Sequence, residues 1–423
     1  MLRALYRSAS LRAAAVLGLG GVAFTAGNLI LARTLPAAEY GLVSLMLGII
    51  AVAGLAAPLG LDLVIGRRGL PLDAGLRRAI LSTGILVASV TTLLTALLYR
   101  LDYTLLISIL LATVGSGLIQ ASAAHFQGQR RFGPATWIVQ LSNWMLLATA
   151  ALISVFGLDT ASATGVLLAV FTAAGALFAW ILARRDIAAA ATWSQGLGAR
   201  ALMQEGLSLA SIHVANSLFL QLERLLLAPA AGVQALALFG VVASLVASPF
   251  RMLQMGVLFT LIPSLRNAAG LEERRRLLVR EALLVGLVIA AGSVFIWYGA
   301  PPLARWFLSG RYELSSALMC AALVSGALKL CSAFATGTVI ALGEDRTLRQ
   351  LSFVSWATIG VGAVAAFLAA SWGLVGVLYG ISAGWLVRTL IAAWMAMPHL
   401  RRPAARLPEA RFGDQSQMPR APR

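Results

Sequence analysis

The sequence predicts an all-α integral membrane protein of 12 transmembrane helices, built as two parallel six-helix bundles. Three observations point there. Of 423 residues, 60% are hydrophobic and only 12% charged, whereas soluble domains carry roughly 25% charged residues; mean hydropathy is +0.86. The apolar residues gather into 12 runs, near 11–33, 40–66, 79–99, 103–126, 135–156, 161–183, 203–228, 235–264, 280–299, 314–342, 349–370 and 374–397. Each approaches or exceeds the roughly 20 residues that cross a hydrocarbon core about 30 Å thick. Finally, the basic residues collect in alternate breaks between these runs.

Taken in order, the first run is too long, and too poor in a small-residue cleavage site, for a removed signal peptide, so it reads as a retained helix closing near Arg33. The second is continuous from Tyr40 to the edge of Arg67-Arg68. Runs three to six are divided at Arg100, at Gly128-Gln129-Arg130-Arg131 and at Gly157-Leu158, and close at Arg184-Arg185. The eighth carries Pro249 and Pro263, and Pro301-Pro302 is expected to follow the end of the ninth. Cys320 and Cys331 share the tenth, about 16 Å apart along a helix, too far to bond each other. The last two runs meet at Ser371-Trp372-Gly373.

Orientation follows from the charges. With the N-terminus inside, inner segments hold 25 basic residues and outer segments 5, which places both termini in the cytoplasm and demands an even number of spans. The expected organisation is a cytoplasmic N-terminus at 1–10, a first six-helix bundle at 11–183, a basic cytoplasmic linker at 184–202, a second bundle at 203–397 and a basic, disordered tail at 398–423. A weak internal repeat supports the halving. Tyr40-Gly41-Leu42-Val43 is echoed by Phe239-Gly240-Val241-Val242, Gly128-Gln129-Arg130-Arg131 by Gly343-Glu344-Asp345-Arg346, and Gly157-Leu158 by Gly373-Leu374. Parallel repeats of this kind place substrate sites at their interface.

Net charge is +17, but it is spread over inter-span loops with no compact basic domain and no nucleic-acid motif, so nucleic-acid binding is unsupported. Walker motifs, catalytic triads and Cys/His metal clusters are absent from the sequence. It therefore predicts no catalytic residue, metal or cofactor, and no direct use of ATP.

Three cations fall inside apolar runs: Arg251, Lys329 and Arg388. Lys329 is the sole lysine of the chain. None of the three has a carboxylate within its own run, and a bare cation in hydrocarbon costs about 2.5–3.5 kcal/mol on insertion scales. Counted along their helices, all three lie roughly 21–24 Å from the outer face, which predicts a common basic floor in a cavity. Arg33 and Arg224, near the outer ends of the first and seventh helices, are further cavity candidates, although Glu223 beside Arg224 offers it a simple partner. Asn28, Asn216, Gln120 and Gln254 are polar within spans, where they either contact a substrate or link helices. His213 stands without a second ligand at metal spacing and reads as lining. Trp297, Tyr298, Trp306, Trp372 and Trp394 suit an interfacial belt.

At Ala32-Arg33-Thr34-Leu35-Pro36-Ala37-Ala38-Glu39-Tyr40-Gly41 the chain resembles the polysaccharide-repeat (O-antigen-type) flippases of the multidrug/oligosaccharidyl-lipid/polysaccharide (MOP) exporter superfamily. Those proteins end a first helix in Ala-Arg-x-Leu and open the second with an aromatic-Gly pair. Gln221-Leu222-Glu223-Arg224-Leu225-Leu226-Leu227 and Leu261-Ile262-Pro263-Ser264-Leu265-Arg266 are similar to the ends of their seventh and eighth helices. The resemblance implies a multi-pass protein of the bacterial cytoplasmic (inner) membrane that flips undecaprenyl-diphosphate-linked oligosaccharide units for polysaccharide (O-antigen, capsule or exopolysaccharide) biosynthesis. It would work by alternating access, with glycan polymerase or glycosyltransferase machinery as companions. Cavity cations would neutralise the diphosphate, and the lipid tail would stay in the bilayer.

The alternative within the superfamily is an ion-coupled multidrug antiporter. That mechanism asks for cavity carboxylates, and the first six spans offer only Asp62 near an inner edge. A membrane-embedded glycan polymerase or ligase would need a large outer loop, whereas the longest here, about 299–313, is short. A lipid II flippase would be expected to add two further spans.

Overall fold

The computed structural model describes residues 9–187, 199–250, 253–254, 261–262, 264–265, 268 and 270–400. Among these residues there is no strand. The helices are α1 Ala9–Thr34, α2 Ala37–Ala56, α3 Leu61–Arg68, α4 Ala74–Tyr99, α5 Tyr103–Gly128, α6 Phe132–Phe156, α7 Ala161–Ile187, α8 Ala199–Val242, α9 Leu271–Phe307, α10 Ser316–Leu342, α11 Asp345–Leu368 and α12 Gly373–Ala396.

Among the described residues, ten helical stretches are long and apolar enough to cross a membrane, one of them the 51 residues Arg200–Phe250. That stretch bends at Gly232, where φ is 85° and ψ 169°, and holds two spans. With α1 added, every one of the twelve predicted spans has a helical counterpart among the described residues, the eighth as far as Phe250. The surface shows which solvent the helices meet. On α4, Leu86, Leu93, Leu97 and Leu98 are 59–69% exposed while Thr83, Ala88 and Thr95 are buried. Large apolar residues outside and small or polar ones inside is the pattern of helices packed in lipid, and in water it would be an untenable apolar patch.

Local chemistry sets the ends. Asp73 and Asp102 accept from Leu76 N (2.7 Å) and Leu105 N (2.9 Å), capping α4 and α5. Ser315 caps α10 through Leu318 N. Two expectations fail. The second span is not continuous: it breaks at 57–60, where Pro58, Leu59 (φ 48°) and Gly60 (φ 77°) form a turn closed by Leu61 N–H to the Pro58 carbonyl. The ninth does not stop at Pro301-Pro302, because α9 runs through both to Phe307. Two prolines near a helix end remove only the donors to the Trp297 and Tyr298 carbonyls, and these two aromatics lie on the exposed side of α9. The expected outer loop therefore shrinks to the residues between α9 and α10. The eleventh and twelfth spans do separate, through a 3-10 turn at Ala370–Trp372 and Gly373 at φ 65°.

Packing repeats along the chain. In the first half α1 lies on α6 and α5 on α7; in the second, α8 lies on α11 and α10 on α12. These are spans 1 with 5 and 4 with 6, then 7 with 11 and 10 with 12. The halves meet chiefly where α2 and α3 run antiparallel to α8. Glycine makes this approach possible: a Cβ on Gly41 would stand 2.2 Å from the Val233 carbonyl oxygen, and one on Gly60 2.0 Å from that of Gly206. Ser217 Oγ donates to the Ala51 carbonyl (3.2 Å) and Tyr99 Oη to that of Leu225 (2.8 Å), pinning the seam.

Candidate functional site

Among the described residues the seam leaves a charged cavity of about 60 Å³, lined by Phe24 of α1, Leu220, Gln221, Glu223, Arg224 and Phe239 of α8, Ala243, Ala247 and Ser248, Phe250, Gln254 and Lys329 of α10. Such a volume holds a few waters. Its wall on one side is a π turn, Ala243–Ala247, in which the Ser248 N–H reaches the Ala243 carbonyl. The wide turn comes just before Pro249, whose ring would strike the Leu245 carbonyl in a regular α-turn. It carries Ala243, Ala247 and Ser248 onto the cavity. Thr25 Oγ1 meets Ser248 Oγ at 2.9 Å, joining α1 to this turn across the halves.

Polar chemistry concentrates on one face. Lys329 Nζ donates to Glu223 Oε1, and Ser325 Oγ donates to the same oxygen at 3.1 Å from one turn earlier on α10. The Glu223 side chain is 2% exposed and that of Lys329 12%, so the pair is made in a poorly hydrated place. Arg224, 5% exposed, donates to Gln221 Oε1 (3.3 Å) and lies over the Phe24 ring at 6.0 Å. Its stem backs onto Gly48 of α2, where a Cβ would come within 3.1 Å of it.

Of the sequence candidates, the structure brings Arg224, Gln254 and Lys329 together. Arg251 lies outside the described residues. Arg388 is elsewhere: 2% exposed, it donates through Nη2 to Asn216 Oδ1 and sits over the Phe219 and Trp385 rings at 5.9 and 5.4 Å. Those rings stack on each other at 3.9 Å. Asn216 and Glu223 are one α8 heptad apart, so Arg388 and Lys329 engage levels about 10 Å apart. Lys329 and Arg388 therefore do not share one level, because depth counted from each helix's own start ignores how the helices are staggered. Lys329, which has no carboxylate within its own run, takes its counter-ion from a neighbouring helix.

Arg33 is exposed at the end of α1, 5.7 Å above the Phe307 ring, and not in the cavity. Asn28 is fully buried, donating to the Phe24 carbonyl at 2.9 Å, with no partner for its Oδ1 among the described residues. Gln120 is half-buried on α5, away from the lining. Sequence reasoning missed Glu223, Gln221, Ser325 and Ser248. Glu223 carried a usable signal, since a carboxylate within an apolar run is expensive and so usually functional. The hydroxyls carried none.

Polar contacts bridge the halves at both ends of the seam. At one, Arg311 Nη1 donates to the carbonyls of Arg33 (3.2 Å) and Leu35 (2.7 Å), tying the α9–α10 loop to the end of α1. At the other, Arg67 and Arg68 of α3 pair with Glu205 of α8 at 3.6 and 2.6 Å.

No protein-family model matches the chain, and no curated protein matches its sequence. Solved structures do match over nearly all of it. A ligand complex of the MATE multidrug transporter DinF-BH aligns over 93% of this chain and 95% of its own, with TM-score 0.65 and 15% identity. A MOP superfamily transporter from Pyrococcus furiosus Vc1, described as having a binding pocket of reverse polarity that suggests a different function, aligns over 93% and 96%, with TM-score 0.60 and 16% identity. An inward-facing multidrug-resistance MATE family transporter of the MOP superfamily aligns over 90% and 94%, with TM-score 0.59 and 16% identity. The chain thus has the MATE/MOP transporter fold.

Proposed function

We propose that this protein is a transporter that flips a lipid-diphosphate-linked oligosaccharide across its membrane by alternating access. The observation that carries the reading is the sign of the cavity: among the described residues its lining holds Arg224 and Lys329 against Glu223, with Gln221, Gln254 and Ser248 as neutral hydrogen-bonding groups. A cationic drug is repelled by that balance, whereas a diphosphate is attracted. The amide and hydroxyl groups suit sugar hydroxyls, and an isoprenoid tail remains in the lipid. Alternating access would part the halves along the α2–α8 seam for the head group to enter. The fold supports this, and the Pyrococcus furiosus relative, with its pocket of reverse polarity, is a precedent for different pocket polarities on one scaffold.

Complementation tests it. Arg224→Gln together with Lys329→Gln is expected to abolish surface glycan in a bacterial strain whose own flippase is deleted, when the wild-type gene restores it. Full glycan export by a well-expressed double variant overturns the reading. Glu223 favours a second reading, an ion-coupled multidrug antiporter, because a buried cavity carboxylate is what that mechanism needs. Drug resistance conferred by the wild-type protein, lost in Glu223→Gln and unaccompanied by any effect on glycan, would establish it instead.

A further inference from the structure

At the arginine-rich end of the molecule the two halves differ in charge. The breaks of the first half, counted over 61–78, 128–131 and 184–187, hold eight arginines against Asp62, Asp73 and Asp186. Those of the second, over 199–210, 264–281 and 343–350, hold eight arginines against six carboxylates. Backbone contact also gathers the excess of the first half. Gly69 ends α3 at φ 65°, and a Cβ on Gly128 would stand 2.9 Å from the Gly69 Cα and 2.8 Å from the Ile65 carbonyl oxygen. Arg67-Arg68 and Gln129-Arg130-Arg131 are thereby brought side by side. Arg130 takes φ 59°, a left-handed conformation that glycine adopts more cheaply. It is held there by its own N–H to the Gln127 carbonyl and by Arg131 N–H to that of Phe126, both 2.9 Å.

Like charges gathered this way repel one another. Among the described residues, the carboxylate that meets Arg67 and Arg68 is Glu205 of the other half, which they share. Arg130 is exposed and has no ion pair among the described residues. Asp73 is already engaged in capping α4. The surface then runs straight into lipid. On α6 the turn is followed by Phe132 and Trp137, each 50% exposed, and on α4 Arg78 is followed by the exposed Leu81 and Ile85. Aromatic rings beside the charges mark the membrane interface, so cations stand at head-group level with apolar side chains directly membrane-ward. We propose that this rim, Arg67 and Arg68 of α3 with Arg130 of the α5–α6 turn, binds the phosphate of an anionic phospholipid from the leaflet on that face. Guanidinium groups match phosphate oxygens in charge and geometry. The chain's own segment 401–423 does not suit the place, having six arginines against Glu409 and Asp414. The site is independent of what the protein carries. It also makes lipid phosphate and Glu205 competitors for Arg67 and Arg68, so an anionic leaflet loosens the link between the halves at this end.

Spin-labelled lipids test this. The full chain is placed in phosphatidylcholine nanodiscs with a trace of spin-labelled phosphatidylglycerol or spin-labelled phosphatidylcholine, and paramagnetic resonance reports the fraction of label immobilised on the protein. The wild type is expected to hold phosphatidylglycerol about fivefold more strongly than phosphatidylcholine, the order that one or two arginines supply at an anionic surface. High salt should weaken that preference. Arg67→Gln/Arg68→Gln/Arg130→Gln should lose most of it. Arg275→Gln/Arg276→Gln/Arg280→Gln, which removes the same charge from exposed positions of α9, should keep it. Glu205→Gln, which frees Arg67 and Arg68, should strengthen it. Equal losses in the two triple variants would assign the preference to net charge alone and overturn the site, as would full preference in the folded rim variant. An unchanged preference in Glu205→Gln would overturn the competition. Should the rim triple not fold, Arg130→Gln decides, with Arg130→Lys keeping the charge: loss in the first and retention in the second support the site, and no loss in the first overturns it. Rim-dependent binding of soluble polyglutamate without any lipid preference would give the surface to an acidic protein instead.

Discussion

Lys329, half-buried, and Arg388, buried, are both cations within spans of the second half, yet their surroundings differ in kind. Lys329 faces a cavity and is held by a carboxylate and little else. Arg388 is enclosed, its Nη2 fixed on an amide oxygen and its plane against two stacked aromatic rings. A counter-ion beside a cavity can be exchanged for a ligand. An amide and two rings in a packed core cannot be, without opening the bundle. The difference teaches that burial of a cation in a membrane span does not by itself mark a transport site; what marks it is an exchangeable partner with space beside it.

The largest expected effect attacks the exchangeable pair. Lys329→Met leaves Glu223 buried and unpaired, and should cost about 3–5 kcal/mol of stability together with all transport. Adding Glu223→Gln should recover most of the stability, seen as a thermal midpoint in detergent near wild type, but not the transport. Next comes Arg388→Met, which strands the Asn216 amide and removes a charged hydrogen bond worth about 1.5–3 kcal/mol; transport per folded molecule should remain near wild type. If Arg388→Met instead abolished transport by a fully folded protein, the contrast between the two cations would be lost. Gly48→Ala should act more gently, since a Cβ there comes 3.1 Å from the Arg224 Cβ, which is fixed to the α8 backbone, and 3.2 Å from its Cδ. It is expected to push α2 and α8 slightly apart, lowering the thermal midpoint modestly and weakening substrate binding several-fold by shifting that guanidinium. Glu205→Gln is the smallest: its pairs with Arg67 and Arg68 are largely solvated, with arginine side chains 69% and 41% exposed, and such pairs are worth at most about 1 kcal/mol.

Much of the fold was legible because lipid imposes length and apolarity on every span. Most run boundaries fall within a few residues of the helix ends, the ninth (280–299 against Leu271–Phe307) being an exception, and the charge-poor junction at Ser371-Trp372-Gly373 proved a true break. The prolines misled in both directions. Pro58 with Gly60 broke a run that hydropathy left whole, while Pro301-Pro302 sat inside a helix whose freed carbonyls lie near its end. The site was less legible, and for one physical reason. Its groups meet across helices: Glu223 and Lys329 are 106 residues apart, and only tertiary stagger decides that Lys329 meets Glu223 while Arg388 meets Asn216. Depth arithmetic within single helices cannot supply that stagger. The π turn that carries Ser248 to the cavity has no hydropathy signature at all.

The central claim, that an exchangeable cavity cation serves an anionic lipid head, is tested most directly by flipping in proteoliposomes. A fluorescent prenyl-diphosphate-linked oligosaccharide would be followed from one leaflet to the other with wild type and with Lys329→Met/Glu223→Gln, matched for folded protein. The account predicts transfer by the wild type and only the background of empty vesicles for the double variant. Equal rates for the two proteins would contradict it.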